Sequence, residues 1–298
     1  MRSAEGVQPM PVRSVDDYLQ MVRDFKKGAV GAVRGNCYLL PDKVSLLVSR
    51  GVLDVAFLPG TLAFLERRDG FCQVHYLRKA RDRGDGALAG DSLARLDSCV
   101  PGILMAEIPF ATKFHEDPVP ERVASELGVL EGAGFSIVRR SRRLARKPLR
   151  EGAPTRTGVR VDTACVEDVP AIKLMLDEGF DPLCDYVPDD RELARAVEAG
   201  EILCTRDGEG RPVSLLHWDC AGAASELRQL FVSREFRARG CAQALIDLYL
   251  RSVPLEASNC VLWVDDENRA ALALYDRFGY GFDGRRAVEL VKRSRVWT

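Results

Sequence analysis

The chain has 298 residues, enough for about two domains at roughly 150 residues each. Its hydrophobic fraction of 46% and charged fraction of 29% fit a globular chain and exclude global disorder. Lys and Arg total 43 against 44 for Asp and Glu, which excludes a generally cationic nucleic-acid binder and leaves only a local basic patch open. The most apolar stretch, Val52 to Leu65, is broken by Asp54, Pro59 and Gly60. It cannot supply the about 20 apolar residues of a membrane span. The N-terminus reads Met-Arg-Ser-Ala-Glu-Gly, without the apolar core of a signal peptide, so the expected location is the cytoplasm. The nine cysteines include no Cys-x-x-Cys pair and most sit among apolar neighbours, as Cys204 and Cys260 do. They are expected as buried free thiols in a reducing compartment. His75, His115 and His217 do not provide zinc spacing, and no metal is expected.

In the first half, Leu62 to Arg67 and Phe71 to Lys79 read as a hairpin about Arg68-Asp69-Gly70. Arg81-x-x-Gly84 follows; Asp85 would place a negative charge among the amides of that loop, and Gly86, Gly90 and Asp91 are expected to interrupt any helix behind it. Gly102 to Phe110 reads as a strand, Pro120 to Gly132 as a helix and Ser136 to Ala145 as a strand. Arg139, Arg140, Arg142, Arg143, Arg146, Lys147 and Arg150 crowd one short segment. That segment is either a basic patch or a solvated last strand, and no interleaved aromatics are present to stack bases. Lys147 to Gly158 holds two prolines and two glycines without apolar periodicity and reads as an interdomain linker.

The second half is clearer. Val159 to Thr163 alternates like a short strand, and Val166 to Glu178 has helical spacing. Asp189 to Gly200 reads as a helix with an aspartate cap. Three strands follow, Glu201 to Arg206, Pro212 to Cys220 and Ser225 to Val232, separated by glycine-bearing turns. Gly240 to Arg251 reads as a helix, Cys260 to Val264 as a buried strand, Glu267 to Phe278 as a helix, and Gly281 to Lys292 as one or two last strands. Strands alternating with helices imply an α/β layer fold. Gly134-Phe135 echoes Gly279-Tyr280, and Arg81-x-x-Gly84 echoes Arg237-x-x-Gly240, which suggests a duplicated domain.

The sharpest local feature is the loop Arg237-Ala238-Arg239-Gly240-Cys241-Ala242 between a strand and a helix. Small residues let a ligand approach the backbone, and the first helix amides lack intrahelical partners. With the helix dipole they form an anion site, to which Arg237 and Arg239 can add charge. An ordinary helix start with a solvated basic cap is the other reading. The loop is neither a Walker P-loop nor Gly-x-Gly-x-x-Gly. Beyond the next strand comes Asn268-x-x-Ala271-x-x-Leu274-Tyr275-x-x-x-Gly279-Tyr280.

These two motifs, in this order, resemble the GNAT acetyltransferase superfamily over about Val159 to Lys292. The resemblance implies a GNAT-like mixed central β-sheet flanked by helices, with the first half as a second, tandem GNAT-like domain. The expected division is a degenerate domain over 1–147, a linker over 148–158 and a catalytic domain over 159–298. It further implies acetyl-CoA as cofactor, held between two splayed parallel strands. Backbone groups of Leu230, Phe231 and Val232 would bond its pantetheine arm, the amides from Ala238 to Ala242 its pyrophosphate, and the Asn268 side chain the arm. Asn268 also suits a helix N-cap. Tyr275 matches the tyrosine that protonates the leaving thiolate, although spacing alone makes it a core aromatic. The general base is less marked. Glu226 is the nearest carboxylate, with Asp219 and His217 on the preceding strand. Leu130 stands where the first half would need its counterpart of Tyr275, so that half is expected to lack catalysis.

The implied reaction is acetyl transfer to a primary amine, on a small molecule or a peptide, by direct attack in a ternary complex. The competing reading is a non-catalytic acyl-CoA-binding regulator that contacts nucleic acid through the 139–150 arginines. No membrane partner is expected, and the chain is read as a monomer or homodimer.

Overall fold

The computed structural model describes residues 8–29, 31–37, 39–80, 85–98, 100, 102–149 and 158–293. In chain order the elements are β1 Met10–Pro11, α1 Val15–Lys27, β2 Ala32–Gly35, α2 Pro41–Ser49, β3 Leu53–Leu58, β4 Thr61–Arg68, β5 Phe71–Ala80, α3 Asp85–Ala94, β6 Ile103–Ala111, α4 Glu121–Gly132 and β7 Ser136–Arg146. They continue with β8 Asp162–Thr163, α5 Val169–Gly179, α6 Asp190–Glu198, β9 Ile202–Arg206, β10 Pro212–Ala221, β11 Ala224–Val232, α7 Cys241–Ser252, β12 Asn259–Asp265, α8 Arg269–Arg277 and β13 Gly281–Arg293. The fold is mixed α/β, as expected.

The chain forms two compact units, Met1–Arg140 with Arg286–Thr298, and Ser141–Arg285. The division falls inside β7 and inside β13, not across the expected linker, whose residues 150–157 lie outside the described ones. The physical reason is strand pairing. Residues Ser141 to Arg146 pair antiparallel with β12 and therefore belong to the second unit.

In the first unit the strand order is β1-β3-β4-β5-β6 followed by the C-terminal part of β13. One face packs Leu65, Val74, Tyr76 and Leu104 against Leu93 of α3 and Leu130 of α4. The other packs Val55, Leu62 and Phe64 against Tyr18 of α1 and Val44 and Leu47 of α2. Helix α1 was not among the expected elements, yet its ends are well made. Ser14 Oγ accepts from the Asp17 amide at 3.0 Å, with acids in the first turn and Lys26 and Lys27 in the last.

Helix α3 overturns one expectation, since Asp85 to Ala94 is helical despite Gly86, Gly90 and Asp91. Burial of Ala89 and Leu93 outweighs the propensity cost. Gly90 has a packing role there, because a Cβ on it would stand 3.3 Å from the Val129 carbonyl oxygen of α4. The loop Arg81–Gly84 lies outside the described residues.

In the second unit the order is the C-terminal part of β7, then β12-β11-β10-β9-β8. Leu144, Leu227 and Leu262 face Leu245 and Tyr249 of α7 and Tyr275 of α8. Ile202, Leu215 and Phe231 face Ile172 and Leu176 of α5 and Leu193 of α6. Helix α6 starts on a reciprocal capping box between Asp189 and Glu192. The arginine segment is absorbed into the sheet. Arg142 donates to Asp266 at 2.6 Å and Arg143 to Asp283 at 2.6 Å. The described cysteines are free, but Cys165 and Cys220 are exposed, against the expectation of general burial.

The placement of residues 141–146 has a direct consequence. A chain beginning at residue 159 leaves β12 without its antiparallel neighbour, and is expected to melt lower and less cooperatively than one beginning at residue 136. In the full chain, Leu144→Ala removes a side chain 6% exposed and should cost about 2–5 kcal/mol in urea unfolding. Equal melts for the two truncations would show that this strand is dispensable.

Candidate active site

The site is set by the way β11 and β12 part. They pair in parallel from Ala224↔Asn259 to Leu227↔Leu262. Beyond that point β11 runs on to Val232 and β12 to Asp265 without further pairing between them. On the other edge, β10 stays paired with β11 as far as Val232. The result is a wedge whose walls are strand backbone, where the β11 edge from Arg228 onward has no strand partner on the β12 side among the described residues.

A bulge lies at the mouth of this wedge. His217 pairs with Gln229 and Trp218 with Leu227, so Arg228 is the extra residue. Ser225 and Leu227 face α7, where Ser225 Oγ meets Tyr249 Oη at 3.0 Å. Alternation then turns Glu226 to the opposite face. After the bulge Leu230 packs with the α7 cluster and Phe231 with the α5 cluster. Gly179, at the end of α5, makes room for Phe231. A Cβ there would lie 2.3 Å from the ring.

The wedge leads into the loop that the sequence singled out. Arg237 Nε donates to the Val232 carbonyl at 3.1 Å, tying the loop back to β11. The Arg239 guanidinium stacks over Phe236 at 5.2 Å. Ala238 has φ 60° and is the one non-glycine residue with positive φ among the described residues. Gly240 follows at φ 87° and caps α7 without a side-chain hydrogen bond. The left-handed turns aim the chain so that α7 starts with its first amides uncapped, and Cys241 and Ala242 form its opening turn. Uncapped amides at a helix start can hold an anion.

On the other arm, Asn268 caps α8, its Oδ1 accepting from the Ala271 amide at 3.1 Å. Two turns on, Tyr275 is buried among the α7–α8 apolar residues, edge-on to Tyr280 with centroids 5.7 Å apart. Burial raises its phenol well above the ordinary value, so the proton is retained at neutral pH. Leu230 belongs to the same cluster as Tyr275.

Glu226 lies on the opposite face. Arg228 bridges it to Asp219, with Nη1 3.1 Å from Glu226 Oε2 and Nε 2.9 Å from Asp219 Oδ2. The guanidinium also stacks on Tyr186 at 5.9 Å. Desolvation raises the Glu226 pKa. The Asp219 charge adds to the rise, while Arg228 and Arg143 oppose it. Asp219 Oδ1 is buried without a hydrogen-bond partner among the described residues. His217 sits beside this group, its Nδ1 2.6 Å from Gln229 Oε1, and burial lowers its pKa so that the ring is neutral. Because Gln229 Nε2 donates to the Tyr186 carbonyl, its Oε1 is the acceptor, and the His217 proton is assigned to Nδ1.

The structure therefore brings Leu230, Phe231, Val232, Arg237, Ala238, Arg239, Gly240, Cys241 and Ala242 together along one wedge and loop. It sets Asn268 and Tyr275 on the second arm and Glu226 across the sheet. Sequence reading missed Tyr186 and the bridging role of Arg228. Only the bulge and the return of the 180–189 segment make that contact, and neither has a local signature.

Residues 178–280 match the acetyltransferase (GNAT) family model. An uncharacterized N-acetyltransferase of Methanocaldococcus jannaschii is 30% identical over 96 residues, covering 30% of this chain and 42% of that protein. The chain thus spans about two fifths of the length of that curated relative. Among solved structures, a tandem GNAT protein from the clavulanic acid biosynthesis pathway is similar with TM-score 0.56 at 15% identity, covering 97% of this chain and 98% of that one. A GCN5-related N-acetyltransferase from Sphaerobacter thermophilus gives 0.55 at 20% identity, covering 82% and 81%. A GNAT-family acetyltransferase from Colwellia psychrerythraea gives 0.52 at 12% identity, covering 96% and 99%. Residues 178–280, within the C-terminal unit, thus match a GNAT domain, and the fold of the chain is similar to that of a tandem GNAT protein. Among the described residues no helix is long and apolar enough to cross a membrane.

Asn268 offers a clean test of the local structure. Asn268→Ala should cost about 0.5–2 kcal/mol by loss of the α8 cap, whereas Asn268→Asp keeps an acceptor oxygen and should hold stability. Chemical denaturation of both variants separates them. Equal losses would mean that the cap is not what Asn268 contributes.

Proposed function

We propose that this chain is an acetyl-CoA-dependent N-acetyltransferase whose C-terminal unit binds the cofactor and acts on a primary amine of a small molecule or peptide. The observation that carries the reading is the open β11/β12 wedge running into a loop with Ala238 and Gly240 at positive φ, ahead of an uncapped α7. The donor set fits the cofactor. An extended amide arm can add to the free edge of β11 at Leu230, Phe231 and Val232 as a strand would. The amides of Ala238, Arg239, Gly240, Cys241 and Ala242, with the Arg237 and Arg239 charges, suit a pyrophosphate. Asn268 keeps its Nδ2 for the arm while its Oδ1 caps α8.

Bound acetyl-CoA supplies a thioester, and amine attack on its carbonyl carbon forms the amide bond as the carbon–sulfur bond breaks. Glu226 takes the proton from the amine. Its raised pKa makes it a better base than an ordinary carboxylate, and Arg228 is paired with Asp219 as well as with Glu226. The unpartnered Asp219 Oδ1 offers a further acceptor for an ammonium group. Tyr275, held protonated by burial, donates to the departing sulfur. Holding the amine beside the thioester supplies much of the rate by proximity. The competing regulator reading is not favoured, since Arg142 and Arg143 are committed to Asp266 and Asp283.

Gly240→Glu places a charged side chain at a left-handed position where the pyrophosphate must approach, and should abolish CoA binding in calorimetric titration. Unchanged affinity in a folded variant would place the cofactor elsewhere. Tyr275→Phe keeps the ring and should lower kcat by about 10²–10⁴ with CoA affinity unchanged. A base must be deprotonated, so kcat should fall as pH drops through the raised pKa of Glu226, and Glu226→Gln should remove that limb. Wild-type turnover by Tyr275→Phe at every pH would leave Tyr275 a packing residue.

A further inference from the structure

The first unit contains a second wedge of the same construction. Strands β5 and β6 pair in parallel from Phe71↔Ile103 to Gln73↔Met105 and then part, although β5 runs on to Ala80 and β6 to Ala111. The opposite edge of β5 stays paired with β4 as far as Arg78. Counted from the hairpin turn and allowing for the extra residue Arg228, Tyr76 to Arg78 stand where Leu230 to Val232 stand in the second unit.

The two wedges differ in what fills them. In the first unit β2 lies against the vacated edge of β5, antiparallel, from Ala32↔Ala80 to Gly35↔Leu77. Asn36 then spans the gap. Its Nδ2 donates to the Val74 carbonyl on β5 at 2.9 Å and to the Glu107 carbonyl on β6 at 3.0 Å. Its Oδ1 accepts from the Tyr76 amide at 2.7 Å. The amides of Asn36 and Cys37 both donate to the Tyr76 carbonyl, at 3.1 and 3.2 Å. Asn36 is 3% exposed, so these bonds are shielded from water. The approach requires glycine at 35, where φ is 142° and a Cβ would stand 2.0 Å from the Tyr76 carbonyl oxygen.

We infer that residues 32–37 occupy in the first unit the place that the cofactor arm takes in the second, so that the chain has one CoA site and not two. The inference rests on the proposed reading of the C-terminal wedge. Its physical basis is separate. Backbone groups exposed by a parting of strands need partners, and in the first unit the chain itself supplies them. A pantetheine arm would have to displace a paired strand and a buried four-way amide clamp, whereas the free edge of β11 asks no such displacement. The first unit is thereby a self-filled GNAT fold.

The test uses the full chain, with CoA as the probe. Calorimetric titration should give one equivalent for the wild type and none for Gly240→Glu. Amide hydrogen exchange should show Arg34 to Cys37 and Tyr76 to Ala80 protected to the same degree with and without CoA. Two equivalents, residual binding by folded Gly240→Glu, or a CoA-dependent loss of protection at Arg34 to Cys37 would overturn the inference. If Gly240→Glu does not melt cooperatively, wild-type stoichiometry and exchange decide. A wild type that binds no CoA would sink the proposed function, and the filled wedge would then be judged by exchange alone. Slow exchange at Arg34 to Cys37 would uphold it, and exchange at the free-chain rate would overturn it.

Discussion

Two parallel strands that start as neighbours and then separate leave a row of peptide groups with no partner on one edge. Buried peptide groups cannot stay that way, so something must enter the gap. Both units of this chain are built around such a parting, at Leu227/Leu262 and at Gln73/Met105. Much else in each unit follows from it. The bulge at Arg228 turns the chain faces at the mouth of one gap. Gly179 lets α5 close on Phe231 beside it, and Gly35 lets β2 close on β5 in the other. One gap ends in a loop whose positive-φ residues present uncapped amides. The other is shut by Asn36.

The arginine-rich strand shows how the local charge is neutralised. Composition alone allowed a basic patch there. In the second unit Arg142 and Arg143 pair with Asp266 and Asp283 across half-buried surface. In the first unit Arg139 approaches Glu289 at 3.4 Å. Such pairs are worth little when exposed and more when partly buried. Here their chief effect is positional, since they fix the strand that shields one edge of β12.

The second unit was legible because its strands alternate with period two and its turns carry glycine. From Ile202 to Arg277 the elements lie within a residue or two of their expected bounds. Only Asp162–Thr163 forms a strand within the expected Val159 to Thr163. The first unit was less legible for identifiable reasons. Helix α3 carries glycines that serve packing against α4 and read as breaks. β2 is four residues long and its role lies in Gly35 and Asn36, which look like a turn. The passage of β7 and β13 between units leaves no compositional mark, because a continuous strand has none at the point where its neighbours change. Of the site, the wedge, loop and Asn268-to-Tyr280 motif were visible, and Glu226 was visible as the nearest carboxylate. The bridge from Arg228 to Asp219 and Tyr186 was not, since it depends on a bulge.

Glu226 and Tyr275 lie on opposite faces of the same sheet, yet burial shifts both in the same direction. Desolvation penalises the charged form of each acid. For a phenol this secures the proton at neutral pH, which is what a donor to a departing sulfur requires. For a carboxylate it raises the pKa, which strengthens a base, while a neighbouring cation limits the rise. Arg228 and Arg143 oppose the rise at Glu226, while desolvation is the sole cause at Tyr275. On the proposed mechanism one physical cause prepares two opposite roles, and the guanidinium beside Glu226 distinguishes them. In the first unit Gln73 stands at the place of Glu226, paired with Glu66 as Glu226 is with Asp219, and Leu130 at that of Tyr275. Neither ionisable group survives where the wedge is filled by the chain itself.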